Sequence, residues 1–188
     1  MKKLAQAAFI AGLLLSATAL ARAQDVAPTL TDVATALECQ QQQAEQQQPS
    51  GWKRERVTPM TGSENVLIEM YVSAGRRVKV SITYHQSAAA AIKAMKSALH
   101  GRQAKTIPNL SDEAYSWGLS DSIALRKNNL IVYVSAVSDI DYLLPVLDTD
   151  QRNRLRHAEE SALNKNFARV VAQVLSNLEK ACESSERV

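Results

Sequence analysis

The pattern of hydrophobic and polar positions marks the clearest β-hairpin in the second half of residues 106–137. Residues 122–127 and 130–137 flank Asn128-Asn129, and asparagine tolerates the positive φ that a two-residue hairpin turn demands. Leu130, Val132, Val134 and Ala136 fall on one face of the second segment; Ile131, Tyr133, Ser135 and Val137 fall on the other. A strand so apolar on both faces predicts a central position, covered on both sides. Upstream, residues 52–60 read as a first strand, with Pro59 marking an edge. Residues 65–73 and 78–84 read as a hairpin turning at Ala74-Gly75-Arg76. Val66, Ile68, Met70 and Val72 share a face of the former, and Val78, Val80, Ile82 and Tyr84 share one on the latter. This predicts a half-buried antiparallel pair with one face available for packing.

Helical spacing takes over elsewhere. Leu30, Val33, Ala34 and Leu37 predict an amino-terminal helix capped by Thr29 or Thr31, running into a glutamine-rich tail that ends at Pro49-Ser50-Gly51. Ser87 caps a second helix, with Ile92, Met95 and Leu99 on its apolar stripe and Gly101 as its stop. After an acidic connector (138–150), Leu163, Phe167, Val170, Val171, Val174, Leu178 and Ala181 mark one face of a long helix over 151–183. Thr149 or Asp150 is its expected cap, and Asn164-Lys165-Asn166 is a point where it could bend or break.

The first residues alter how the composition is read. Lys2 and Lys3 precede an apolar run, and small residues surround Ala21-Arg22-Ala23, the layout of a secretory signal peptide cleaved after Ala23. The run is shorter than the roughly 20 residues a membrane span needs, and no later segment is apolar enough. Removing Lys2, Lys3 and Arg22 leaves 19 basic and 19 acidic residues, so the basic balance of the whole chain resides in the export signal. No nucleic-acid partner follows from it. About 165 residues remain, which suits one core, and the expected location is periplasmic or secreted. Two cysteines, Cys39 and Cys182, form an even pair in an oxidising compartment and predict a disulfide. Closing a loop of roughly 140 residues contributes about 4–5 kcal/mol on the chain-entropy account.

The search for chemistry returns little. Ser120 lacks the second glycine of a nucleophile elbow and reads as a strand or turn serine. His85, His100 and His157 show no metal-ligand spacing. Asp148 and Asp150 resemble the start of a calcium loop, but Arg152 stands at the next ligand position, so Asp150 reads better as a helix cap. Six glycines in the whole chain form no phosphate-cradling loop. No cofactor or metal is expected.

One compact polar-aromatic cluster stands out, Ser111-Asp112-Glu113-Ala114-Tyr115-Ser116-Trp117. The stretch from Ile107 to Tyr115 resembles the "GxGDEAY" motif of bacterial exported proteins and lipoproteins, with Asn109 and Ser111 standing where the motif has glycines. Proteins of that layout look similar to the Mog1/PsbP-like α/β sandwich, and the resemblance implies a fold more than an activity. In the structural reading Asp112-Glu113 accept backbone N–H groups in a tight turn, and Tyr115 and Trp117 enter a sheet on one face. In the binding reading those two aromatics floor a small patch rimmed by Asp112 and Glu113. Adjacent carboxylates on a strand point to opposite faces, which argues against acid–base catalysis by the pair.

The expected fold is α+β: a single, mostly antiparallel sheet of about six strands in the order βββ-α-βββ-α, with packed helices and a preceding amino-terminal helix. The expected divisions are a signal peptide over 1–23, a helix and glutamine-rich connector over 24–50, and the α+β domain over 51–188. The expected function is that of an exported, non-catalytic domain binding an unknown protein or small ligand in the cell envelope. The alternative is a periplasmic antagonist of a toxin or hydrolase, using loops such as the acidic connector; an enzyme of unfamiliar layout comes third.

Overall fold

A computed structural model describes residues 29–36, 51–57, 65–139 and 146–178. Residues 1–23, the glutamine-rich connector, Pro59, Cys39, Cys182 and residues 140–145 of the acidic connector lie outside the described residues. The first helix, α1, is described over residues 30–36. Thr29 caps it: its hydroxyl accepts from the Asp32 N–H at 3.2 Å, and the Asp32 carboxylate accepts from the Thr29 N–H at 2.8 Å. This reciprocal box satisfies two of the helix's unpaired donors.

Seven strands follow, β1 (Lys53–Val57), β2 (Val66–Ser73), β3 (Arg76–Tyr84), β4 (Lys105–Thr106), β5 (Glu113–Trp117), β6 (Ser122–Lys127) and β7 (Leu130–Ser138). Helix α2 (Ala88–Leu99) lies between β3 and β4, and α3 (Thr149–Ser176) follows β7. The strands form one sheet in the order β1-β2-β3-β7-β6-β5-β4, antiparallel at every pairing. The expected α+β class and βββ-α-βββ-α plan hold, with the short β4 added as a seventh strand at the far edge. β7 lies fourth of seven, the central place its sequence predicts.

The hairpin turns are tighter than expected or differ in detail. Arg76 pairs with Ser73, so the β2–β3 turn is Ala74-Gly75 alone, with Gly75 at φ 72°. In the β6–β7 turn Asn128 alone takes positive φ, at 51°. The neighbouring Asn129 is buried; its side-chain amide donates to the His85 carbonyl at 2.9 Å, fastening the end of β3 to this turn.

The main core lies on one face, where α1 and α3 pack over Leu67, Tyr71, Val78, Val80, Ile82, Ile123, Leu125, Leu130, Val132 and Val134. The second face carries a smaller cluster, Ala91 and Met95 of α2 against Ala124 and Ile131. Because α2 reaches only part of that face, β7 is covered on both sides over Leu130–Val132 but not throughout; Ser135 and Val137 are exposed. Burial in β2 runs opposite to the expected grouping. Leu67 pairs with Ile82 and Tyr71 with Val78 on the main core, so Val66, Ile68, Met70 and Val72 occupy the other face, half-buried. The core face therefore takes in Glu69, fully buried and paired with Arg54 of β1.

Helix α3 also departs from expectation at its start and middle. Asp148, not Thr149 or Asp150, is the cap: its carboxylate accepts from the Gln151 N–H at 2.8 Å, and the Gln151 side chain accepts from the Asp148 N–H. The helix runs unbroken through Asn164–Asn166, because the Asn164 side chain is buried and donates to the Ser120 carbonyl at 2.7 Å. Its core face is Ala168, Val171, Ala172, Val174 and Leu175, while Val170 is exposed. Ser87 does cap α2, accepting from the Ala90 N–H.

Candidate functional site

The polar groups gather at the two ends of the β5–β6 hairpin. At the open end Arg126 is almost buried and collects both acidic residues of the Ser111–Trp117 cluster. Its guanidinium lies 3.3 Å from Asp112 and 3.5 Å from Glu113, and donates to the Asn128 carbonyl at 2.9 Å. Asp112 also accepts from the Asn128 N–H at 2.7 Å and from Lys127 at 3.2 Å. Burial works against ionisation of Asp112, but the Asn128 N–H and the charges of Lys127 and Arg126 together hold its carboxyl below the ordinary range. Asn109, at a motif glycine, takes φ 60°, a conformation asparagine tolerates better than most residues.

Tyr115 and Trp117 leave this turn on the α2 face of the sheet and pack against the smaller cluster. The Trp117 ring meets Tyr133 edge-on at 6.4 Å, and the Arg102 guanidinium sits 5.0 Å over it. Burial raises the Tyr133 hydroxyl above its ordinary pKa, and the Arg102 charge partly opposes this. Glu113, Tyr115 and Trp117 share the α2 face of β5, with Glu113 and the neighbouring Asp112 beside Arg126 at one end and the two aromatics against the smaller cluster.

At the closed end, the turn 118–121 meets the first half of α3. Gly118 and Asp121 adopt φ values of 76° and 47°, which turn the chain back toward the helix. Ser120 donates to Glu160 at 2.5 Å and lies 2.9 Å from His157 Nδ1. A hydroxyl carries one proton; with that proton on the bond to the carboxylate, the Nδ1–H tautomer of His157 completes the contact to Ser120. Glu160 also accepts from the Ser138 N–H at 3.1 Å. Glu159 accepts from the Ser138 hydroxyl and pairs with Arg76 at 2.6 Å. Asp121 accepts from Lys165 and from Ser161, each at 2.7 Å. Those two bonds, Lys165 first, hold its carboxyl below the ordinary range despite partial burial, and Lys105 adds a weaker pull.

In the sequence Ser120 reads as a strand or turn serine and His157 as one of three histidines without metal-ligand spacing. The first holds, but the structure brings the two together. One signal was available: His157, Glu160, Ser161, Asn164 and Lys165 follow the 3–4 spacing that continues into Ala168, Val171, Ala172 and Leu175. The core-facing stripe of α3 is polar in its first half.

Beside this cluster lies a cleft of about 430 Å³, half open to solvent. It exists because α3 crosses β6 and β7 and stops short of the β4 edge. Ile107 and Leu110 give it apolar surface over the buried Ile123; Lys105, Lys165, Arg169 and Asp121 supply charge. Among the described residues no carboxylate pairs with Lys105 or Arg169; Arg169 meets the Asn166 side chain at 3.4 Å. No group of three histidine, cysteine, aspartate or glutamate side chains among the described residues could hold a metal. No protein-family model, curated protein or solved structure matches the chain.

Proposed function

We propose that the chain is an exported, non-catalytic binding domain whose ligand site is the cleft between α3 and the β4–β5–β6 edge. Export rests on the amino-terminal pattern of residues 1–23. The observation that carries the binding reading is the pair of cations, Lys105 and Arg169, beside apolar surface: among the described residues neither forms a carboxylate ion pair, and Asp121, bonded to Lys165, acts on Lys105 only at longer range. A cleft of this volume lies within the range of small-molecule sites. The arrangement nearest to catalysis, Ser120–His157–Glu160, supports the same reading by its geometry. A nucleophilic serine donates to an imidazole that a third group orients, whereas here Ser120 donates directly to the carboxylate. The cluster acts as a fastening between turn and helix.

The test is native mass spectrometry of the protein isolated from the envelope of its host. A small molecule retained by the wild type and by Ser120→Ala, but lost from Lys105→Glu/Arg169→Glu, is the expected result. A hydrolytic activity that disappears in Ser120→Ala would overturn the reading. A second reading, antagonist of an exported enzyme, is favoured by Leu119, which stands 81% exposed at the tip of the turn. It requires a single tight partner in envelope extract that Leu119→Asp releases.

A further inference from the structure

Charge in the cleft is distributed unevenly, and that distribution specifies a ligand class. Three cations line it against one carboxylate. Asp121 and the Ser161 hydroxyl hold the Lys165 ammonium, at 2.7 and 2.9 Å, so Lys165 is already neutralised. Among the described residues neither Lys105 nor Arg169 forms an ion pair with a carboxylate: Asp121 reaches Lys105 only as a weaker, longer-range charge, and Arg169 meets the Asn166 side chain. A guanidinium matches the geometry of a carboxylate or phosphate, and an ammonium beside it adds a point charge. Lys105 opposes Ser116 across the β4–β5 pairing, and Ser116 opposes Ile123 across β5–β6. Cationic and apolar contacts therefore lie on the same face of the sheet, within the reach of one small molecule.

From this we infer that the cleft takes a small amphipathic anion, one carboxylate or phosphate group on a compact apolar body. The inference rests on the binding reading above. The anionic group sits between Lys105 and Arg169; the apolar body lies on the half-buried Ile107 and Leu110, with Ile123 buried beneath them. Asp121 is a positioning residue. It keeps Lys165 turned toward the 118–121 turn, and its own charge sets a limit on how much negative charge the cleft accepts.

Isothermal titration of the processed protein tests this with decanoate, decyl phosphate, decanol, decyltrimethylammonium and acetate. Decanoate or decyl phosphate should bind at least tenfold more tightly than decanol, with acetate and the cationic amphiphile weaker still. The stronger of the two anions identifies the headgroup. Lys105→Glu/Arg169→Glu should lose at least tenfold in affinity for the anion, while Lys93→Glu, exposed on α2, should lose none. Asp121→Asn releases Lys165 and should tighten anion binding several-fold; asparagine suits the positive φ there, so the turn is kept. Decanol binding as tightly as decanoate would overturn the anion class and leave the cleft as a binding site. Unchanged anion affinity in a folded charge-reversal variant would place the ligand elsewhere. No binding by any amphiphile would overturn both readings.

Discussion

Arg54 and Glu69 meet diagonally across β1 and β2 as a bidentate ion pair on the core face, Arg54 standing opposite Tyr71 in the register. The guanidinium Nε and a terminal nitrogen each lie 2.9 Å from a carboxylate oxygen. The same nitrogen reaches the Ala34 carbonyl of α1 at 3.4 Å, so the pair also seats that helix. Side-chain exposure is 8% for Arg54 and 0% for Glu69, so solvent screens the pair little.

Removing one partner leaves the other charge in the core. Arg54→Met or Glu69→Leu alone should destabilise the domain by about 3–5 kcal/mol, whereas the double substitution should cost much less. Urea unfolding of the four proteins measures this. Equal losses in single and double variants would show that the pair is not acting as one unit.

The fastening at the closed end makes a smaller contribution. Ser120→Ala removes a donor from the buried Glu160 carboxylate, which keeps the Ser138 N–H. A loss of about 1–3 kcal/mol is expected, together with faster amide exchange in the 118–121 turn and the first half of α3. Exchange that is unchanged there would remove the fastening role.

Asp121 makes stability depend on acid. Its carboxyl ionises below the ordinary value of 3.8 in the folded state, because Lys165 and Ser161 favour the charged form. A depressed folded pKa contributes stability that is fully present above the unfolded value and lost as pH falls through the folded one. The stability gap between wild type and Asp121→Asn should therefore be constant near about pH 7 and close below about pH 4. Denaturant titrations across the acid range decide this. A gap that widened in acid would contradict the direction of the shift.

Trp117 is half-buried between Tyr133 and Arg102. Trp117→Ala should destabilise by somewhat less than the roughly 3–5 kcal/mol of a fully buried ring, and Arg102→Ala by at most about 1 kcal/mol. A double-mutant cycle should return a coupling of about 0.5–1 kcal/mol. If Trp117→Ala instead leaves stability intact and impairs partner capture, the aromatic edge beside α2 is a binding surface.

The sequence was most legible where local chemistry decides the structure. The Asn128-Asn129 turn, the Ser87 cap and the apolar run of β7 each rest on neighbours a few residues away. In β2 the period of two leaves two rows to choose between, Val66–Ile68–Met70–Val72 and Leu67–Glu69–Tyr71. The apolar row looks like the core row until Arg54, fifteen residues upstream, supplies the counter-charge that admits Glu69. Tyr71 then packs on Phe167 at 5.1 Å, a partner on α3 with no local signature. The site was hidden for a similar reason. Ser120 and His157 lie 37 positions apart and meet only because α3 returns over the β5–β6 turn. Lys105 and Arg169 are ordinary surface cations in the sequence; that they share a cleft, and that among the described residues neither forms a carboxylate ion pair, is a property of the assembled fold.

The strand order β1-β2-β3-β7-β6-β5-β4 has a kinetic consequence. Residues 53–84 form one meander and 105–138 another, each from short-range hairpins that close on the microsecond scale. They join along β3 and β7, where Arg76 pairs with Ser138 and Tyr84 with Leu130, and closing that seam must bring together distant parts of the chain. The slow event is the zipping of two preformed halves, with loop-closure entropy opposing it until the seam is made. Until then the inner edges of β3 and β7 are bare. The chain is most exposed to mispairing with its neighbours in that interval, when two bare strand edges are available at once.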